Sequence, residues 1–532
     1  MKHARFGIAV ITTLTLGGGA LCAHAQASDK PFVRARTLSE DLLLFSQVLN
    51  QIRVNHPDSA DSHELLMAAI EGLVRATDPH SFVVPAVRLD SARQRAWEEG
   101  KLARVPISFV YAGRTPIVVS VAPGSQAARH DILVGDELVA VEGRPLAAES
   151  EEELDIALAG ARGSAVSLRF MRRRLDGTSA VVDRAIKRER VEDLPAVPIA
   201  RMLDSVTGYV RVTTFASEKV ADDMHAAVER LEKSGMRRLL IDLRDNGGGL
   251  VAQASDAVGE FLPKGAVIYT AEGRKQSVNK TVKVSRSFFR RERGYPVVLL
   301  VNRGTASASE LFAGALQDHD RAIVVGRPTF GKALLMQGMP LTDGSYMMLV
   351  IGHVKTPCGR IIQRQYRGVR QSDYYRGADA ARDTTGRPSC RTPAGRTLYG
   401  GGGIYPDVVL DEPDPVPLWL RRLQEQELPL KWAGAVSADA ARAPADVERY
   451  VSGEAIPPSA VAEFREFTRA RGGQVPDDPD ADARLRRVLA AELARAKFGD
   501  AGYFRVVLSD DAWIQRAMQA FDRAALLTGS RP

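Results

Sequence analysis

Asn302-Arg303-Gly304-Thr305-Ala306-Ser307-Ala308-Ser309-Glu310 lies between an unbroken apolar run, Val297 to Val301, and a segment that repeats Leu311, Phe312, Ala315 and Leu316 at helical spacing. A fully apolar run of this length reads as a buried strand of a parallel sheet, and the spacing after it as a helix packed on that sheet. A serine therefore sits at a strand-to-helix junction. That seat suits a nucleophile, because a helix N-terminus offers free backbone N–H groups and a positive dipole end to a developing oxyanion. The same residues, Ser307-Ala308-Ser309-Glu310, also spell a capping box, which needs no catalysis. Both readings stay open on these residues alone.

Working outward, the alternation is that of an α/β core: a strand over Gly208 to Thr213, a helix over Lys219 to Lys233, and a buried run from Arg238 to Leu243. Further strands are expected at Ala266 to Tyr269, Ala322 to Gly326, Leu334 to Met339 and Ser345 to Val354. Upstream, Pro106 to Tyr111, Ile117 to Val121, Glu137 to Val141, Val166 to Met171 and Ala180 to Ile186 are short β-rich runs separated by turn residues, which indicates a small β domain. Leu38 to Arg75 reads as two helices broken at His56-Pro57-Asp58, and Asp78-Pro79-His80-Ser81 stops the helical pattern. Beyond Leu410 the stretch Asp411-Glu412-Pro413-Asp414-Pro415-Val416-Pro417 reads as a linker. The remainder is helical, with Asp482 expected to cap a helix that ends at Gly499.

The chain has 532 residues, 45% of them apolar and 26% charged, which fits a multidomain globular protein. Its net charge of +7 is small and dispersed, so a nucleic-acid partner is not expected. Two basic runs, Arg172 to Arg174 and Lys187 to Arg190, are read as solvated strand ends. Residues 1–25 have the form of an export signal: Lys2 and Arg5, an apolar stretch, then Ala23-His24-Ala25. Export to the periplasm or cell envelope is the expectation, with lipidation at Cys22 a lesser reading. No metal or other cofactor is expected, since the His residues form no HExxH and two Cys fall short of a zinc set. Those two, Cys358 and Cys390, are either a disulfide or two unpaired small hydrophobes.

Several motifs occur in one order: Asp78-Pro79-His80-Ser81, Gly208-Tyr209-Val210-Arg211, Asp242-Leu243-Arg244-Asp245-Asn246-Gly247-Gly248-Gly249, Ala306 to Glu310, Thr329-Phe330-Gly331-Lys332, Thr356-Pro357-Cys358-Gly359-Arg360 and Gly400 to Asp407. From about Leu38 to Leu410 the chain resembles the carboxy-terminal processing peptidases, tail-specific serine proteases with a Ser-Lys dyad. The resemblance implies an α/β catalytic core of ClpP/crotonase-like type with an inserted PDZ β domain and helical N- and C-terminal regions. On that likeness the chain divides into a signal peptide (1–25), an N-terminal helical region (26–100), a PDZ-like domain (101–192), the peptidase core (193–410) and a C-terminal helical region (411–532). It further implies Ser307 as nucleophile, Lys332 as general base, and backbone N–H groups of Gly249 and Ala308 as oxyanion donors.

Two positions depart from the family pattern. Where it has a glutamine four residues past the lysine, this chain has Met336, with Gln337 one place later as an accessory candidate on the opposite strand face unless a bulge intervenes. Where PDZ domains carry a glycine-rich carboxylate loop, this chain reads Arg104-Val105-Pro106-Ile107, and Pro106 removes a donor. A lysine serves as base only when neutral, and an ordinary one is ~99.9% protonated at pH 7, so apolar surroundings such as Phe330, Ala333, Leu334 and Leu335 must depress it. His319 is too far along the helix to serve Ser307; His80 and His353 stay open. Asp318 and Arg321 are expected to tie the helix end to loops.

The reading is an exported serine endopeptidase that cleaves unstructured polypeptides near their carboxyl ends through an acyl-enzyme. Its rival is an inactive PDZ-containing scaffold. Partners are the polypeptide substrate and an activating or adaptor protein, with the end helices covering the cleft or forming a homodimer contact.

Overall fold

The computed structural model describes residues 36–84, 102–103, 105–112, 115–121, 126–146, 154, 157–188, 196–285, 293–343, 345–369, 371–376, 384–411, 416–437 and 442–529. The expected signal peptide, Cys22 and Arg104 lie outside them. The chain divides into two compact units, residues 1–68 and 69–532. Within the first, helix α1 (Leu38–Asn55) is opened by a capping box: Glu40 N donates to Thr37 Oγ1 (3.3 Å) and Thr37 N to the Glu40 carboxylate (2.7 Å). None of its residues is buried. Helix α2 spans Ser62–Arg75.

After the Asp78–Ser81 turn comes a strand that the sequence did not signal, β1 (Phe82–Val84). The expected β domain follows as an antiparallel sheet in the order β2 (Ile107–Ala112), β3 (Thr115–Val121), β4 (Glu137–Val141), β5 (Ala165–Arg173) and β6 (Ser179–Lys187). Strict in–out alternation along β5 and β6 gives it one buried face, built from Val166, Leu168, Phe170, Val182 and Ile186. The basic runs at its strand ends are solvated only in part: Arg174 and Lys187 are exposed, and Arg190 lies outside the described residues. Arg172 pairs with Asp136 (2.8 Å), Arg173 with Glu137 (2.9 Å), and Arg188 is buried against the carbonyls of Leu158 and Ala165. Acidic residues and carbonyls far away in sequence supply these partners, so local composition could not announce them.

The core sheet is six-stranded, in the order β7 (Ile199–Met202), β8 (Thr207–Arg211), β9 (Arg238–Asp242), β12 (Val297–Val301), β13 (Ile323–Gly326), β16 (Val408–Val409). From β8 to β16 the pairings are parallel, and β8, β12 and β13 are buried along their whole length. Burial on both faces requires helices on both sides. One face is covered by α3 (Val220–Lys233), α4 (Val251–Val258) and α5 (Ala308–Asp318), with Phe215, Phe261 and Phe312 at its centre. A second, antiparallel sheet lies beside this layer: β1 pairs with β15 (Tyr346–Lys355), which also pairs with β10 (Val267–Gly273) and β14 (Leu334–Pro340), and β10 pairs with β11 (Lys280–Lys283).

The C-terminal helices corrected one expectation. A helical cluster around Trp432, Phe464 and Phe467 includes the long helix α6 (Pro479–Val507), capped by Asp478 rather than Asp482, with Ala481 N donating to Asp478 (2.8 Å). Pro479 at the first helical position is the local signal for that boundary. The helix breaks its geometry at Gly499 (φ 68°), where an end was expected. The next two helices are α7 (Ala512–Met518) and α8 (Phe521–Gly529). Trp513, Ile514, Ala517, Phe521, Ala524 and Leu527 pack on Tyr209, Leu240, Val298, Leu300, Ile323 and Val325 and form the second cover of the core sheet. Phe521→Ala is expected to cost about 3–5 kcal/mol, measured as a shift in the denaturation midpoint.

Candidate active site

Ser307 opens α5 with φ 56° and ψ −118°, a left-handed conformation unusual for a residue with a Cβ. The turn before it is held from several sides. Thr305 Oγ1 donates to the Leu243 carbonyl (2.8 Å), and Ala306 N donates to the Asn246 carbonyl (2.9 Å). Fully buried Asn246 uses its side chain twice, accepting from Gly248 N (3.0 Å) and donating to the Val212 carbonyl (3.0 Å). This draws the glycine run Gly247-Gly248-Gly249 against the serine. A Cβ on Gly248 (φ 100°) would stand 2.8 Å from the Ser307 Cβ and from Ala308 N, so only glycine permits the approach. Gly249 N and Ala308 N donate no hydrogen bond among the described residues; Gly249 is exposed and Ala308 is buried against Gly248.

Behind this turn, Asp242 is fully buried between two guanidiniums. Burial opposes its ionisation, but Arg211 (2.7 Å) and Arg244 (2.6 Å) hold its carboxyl well below the usual carboxylate range. Tyr209 OH also donates to it (2.8 Å), and Arg244 reaches on to Asp511 (2.5 Å), the cap of α7. The charged part of the Asp242–Asn246 motif therefore braces the core, and its asparagine and glycines shape the turn beside Ser307.

Lys332 lies in the loop between β13 and β14 and is partly buried. No hydrogen bond joins its amine to the Ser307 hydroxyl among the described residues. The two segments meet through their backbones instead: Phe330 N donates to the Thr305 carbonyl (2.9 Å), and Glu310, inside α5, accepts from Ser307 N (2.8 Å), Gly331 N (2.7 Å) and Lys332 N (2.8 Å). Of the residues expected to surround the lysine, Ala333 and Leu334 are buried, and Phe330 and Leu335 partly so.

Gln337 is exposed on β14 and makes no bond to Lys332. A bulge does occur here, but Leu335 pairs with Gly352 and Met336 with Val350, so the extra residue, Ile351, belongs to β15 and leaves the facing of β14 unchanged. The glutamine that does reach the lysine's loop is Gln363, whose Oε1 accepts from Ala333 N (2.8 Å). Its amide donates to Tyr374 OH (3.2 Å), which in turn bonds His80 Nε2 (2.9 Å). Burial, then the charge of Lys332, pushes His80 down to about 3, so the imidazole is neutral at the site. Phe330, Tyr374, Tyr375 and His80 form one ring cluster, with the Arg364 guanidinium 4.4 Å over Phe330. Gln363, Tyr374 and the involvement of His80 were not legible in sequence, because chain topology, not spacing, brings them to Lys332.

Cys358 and Cys390 are joined as a disulfide with Cα atoms 6.3 Å apart, bracketing the segment that supplies Gln363, Arg364 and Tyr374. Asp318 ends α5 in an ion pair with Arg360 and accepts from Cys358 N (2.9 Å), and Arg321 bonds the Phe261 carbonyl, so both tie the helix end as expected. His319 is occupied with the Val267 carbonyl (2.7 Å), and His353 is exposed on β15. Reduction of the disulfide is expected to lower stability by about 3–4 kcal/mol, visible in the denaturation midpoint with and without reductant.

Ser307 at a strand-to-helix turn, a glycine run drawn against it and a lysine whose loop is tied to the same helix are thus brought together. Residues 206–373 match peptidase family S41, and with that domain the chain is a serine-type endopeptidase. It is similar to a carboxy-terminal-processing protease of Bartonella bacilliformis, 28% identical over 329 residues, covering 61% of this chain and 73% of the relative. A carboxy-terminal processing protease of Bacillus subtilis, CtpA, is 27% identical over 68% of this chain and 75% of its own length. Among solved structures, the photosystem II D1 C-terminal processing protease aligns over 74% of this chain and 91% of its own, with a TM-score of 0.37 and 23% identity. No helix among the described residues is long and apolar enough to cross a membrane.

Proposed function

We propose that the protein is an exported C-terminal processing endopeptidase that cleaves unstructured polypeptides through an acyl-enzyme on Ser307, with Lys332 as the general base. The observation that carries this reading is the joint fastening of Ser307 and Lys332 to Glu310, beside two backbone N–H groups that have no partner among the described residues. Lys332, as a neutral amine, takes the serine proton as the hydroxyl attacks the scissile carbonyl. Gly249 N and Ala308 N receive the developing oxyanion. The ammonium then protonates the leaving amine, and the regenerated amine activates the water that releases the acyl group. No cofactor enters these steps. A productive complex must bring the amine to the hydroxyl, and such contacts commonly tighten only once substrate is bound.

The antiparallel β domain over 101–192 is assigned as an inserted PDZ module on the core over 193–410, which has the ClpP/crotonase-like arrangement. An exposed edge could take an extended peptide as an added strand. Pro106 makes delivery of a polypeptide segment a better role for it than capture of a terminal carboxylate. The test is incubation of the mature protein with an unfolded polypeptide and with a fluorophosphonate that labels reactive serines. Cleavage and labelling at Ser307 are expected. A protein inert to both across pH would overturn the enzyme reading in favour of the binding scaffold.

A further inference from the structure

Glu310 makes more bonds than a helix cap requires. A capping box needs its glutamate to accept from the N-cap N–H alone, here Ser307 N (2.8 Å). Three further donors converge on the same carboxylate, all from the loop that carries the lysine: Thr329 Oγ1 (2.5 Å), Gly331 N (2.7 Å) and Lys332 N (2.8 Å). Ser307 N and Lys332 N meet on one oxygen, Oε2, and the other two donors share Oε1. The side chain is fully buried, and no water-facing lone pair is left to soften the arrangement.

We propose that Glu310 is a positioning residue that sets the spacing between nucleophile and base, and that it does so only as an anion; this rests on the Ser307–Lys332 reading given above. Every partner is a donor, so the group must be acceptor-only, which a carboxylate is and a carboxylic acid is not. Reversing the Thr329 bond would strip that hydroxyl's hydrogen of its acceptor, since among the described residues it donates to Glu310 alone while its oxygen accepts from Ile404 N (2.6 Å). A proton added to Glu310 therefore faces an N–H or a hydroxyl hydrogen, and one of the bonds that join the two loops is lost. Burial pushes this carboxyl up to about 7 against the pull of the four donors, of which Thr329 pulls hardest. The charged and titratable groups that interact with it are the Arg364 guanidinium and Tyr374, and the neutral His80 lies next to both, with the Lys332 charge acting on His80. The fastening thus loosens as pH falls through neutrality and is complete above it.

The decisive variants are Glu310→Gln, an isostere that turns one acceptor into a donor, and Thr329→Val, which deletes only the hydroxyl donor. Glu310→Gln is expected to lower kcat ~100-fold, the usual cost of misplacing a reacting group by about 1 Å, while KM changes less than threefold. Its crystal structure is expected to show the Lys332 loop withdrawn from Ser307. Thr329→Val is expected to move the acid limb of the kcat profile to higher pH, since the donor that pulls the carboxyl down hardest is gone. A Glu310→Gln protein with parental kcat and an unmoved loop, or a Thr329→Val profile that overlays the parent, would overturn the proposal. If Glu310→Gln does not fold, the Thr329→Val profile decides alone. If the parent neither cleaves nor labels at Ser307, the enzyme reading has failed, and the loop position in the Glu310→Gln crystal still tests the fastening.

Discussion

Ser307→Ala is expected to lower cleavage of an unfolded polypeptide by at least about 10⁴-fold, down to what binding and oxyanion donors supply without a nucleophile. Its thermal midpoint should stay near that of the parent, because Glu310 holds Ser307 through the backbone N–H, which alanine keeps. Lys332→Ala should cost as much, and for the same reason: the bond from position 332 to Glu310 is also made by the backbone. The two losses should not add, since nucleophile and base act as one unit. Both are read by gel assay of substrate cleavage, with the melting curve as control. Retained cleavage in Ser307→Ala would remove that serine from the chemistry.

Gly248→Ala is expected to be the next most damaging change, without touching any reacting group. The new methyl would meet the Ala306 carbonyl oxygen at 2.7 Å and both Ala308 N and the Ser307 Cβ at 2.8 Å, and the residue would have to keep a φ of 100°. Backbone on two sides cannot yield as a flexible side chain would, so the glycine turn must withdraw from the serine and take the neighbouring Gly249 N–H with it. Loss of one well-placed oxyanion donor costs about 10²–10³-fold in kcat. The effect should fall on kcat rather than KM, and a Gly248→Ala enzyme within tenfold of the parent would show that this turn does not shape the oxyanion site.

The proposed pair could be placed from sequence because it lies at ends of strongly patterned elements. The run Val297–Val301 and the helix after it placed Ser307, and the motif Thr329–Lys332 placed the lysine by likeness. Glu310 was legible only in part: spacing shows that it can reach Ser307, but no spacing rule shows that the same carboxylate reaches a loop beyond the helix and another strand. The bonds show Glu310 accepting from Ser307 N as a cap would, and the proposed nucleophile seat uses the same residues. Helix α4 was overlooked because Val251–Val258 follows three glycines and is short. The region of α7 and α8 was read only as helical, and a helical reading carries no address for the surface that a buried face will meet. Arg172, Arg173 and Arg188 failed for the same reason.

That address has a kinetic consequence. Leu240 and Phe521 share one cluster although more than half the chain separates them. Contacts so remote in sequence close late, after the loop entropy between them has been overcome, and they slow folding. Until α7 and α8 arrive, strands β8 to β13 present an uncovered greasy surface, the kind that recruits chaperones or aggregates. The segment that matches the peptidase family, residues 206–373, is thus no autonomous domain, and when excised it is expected to precipitate rather than digest anything.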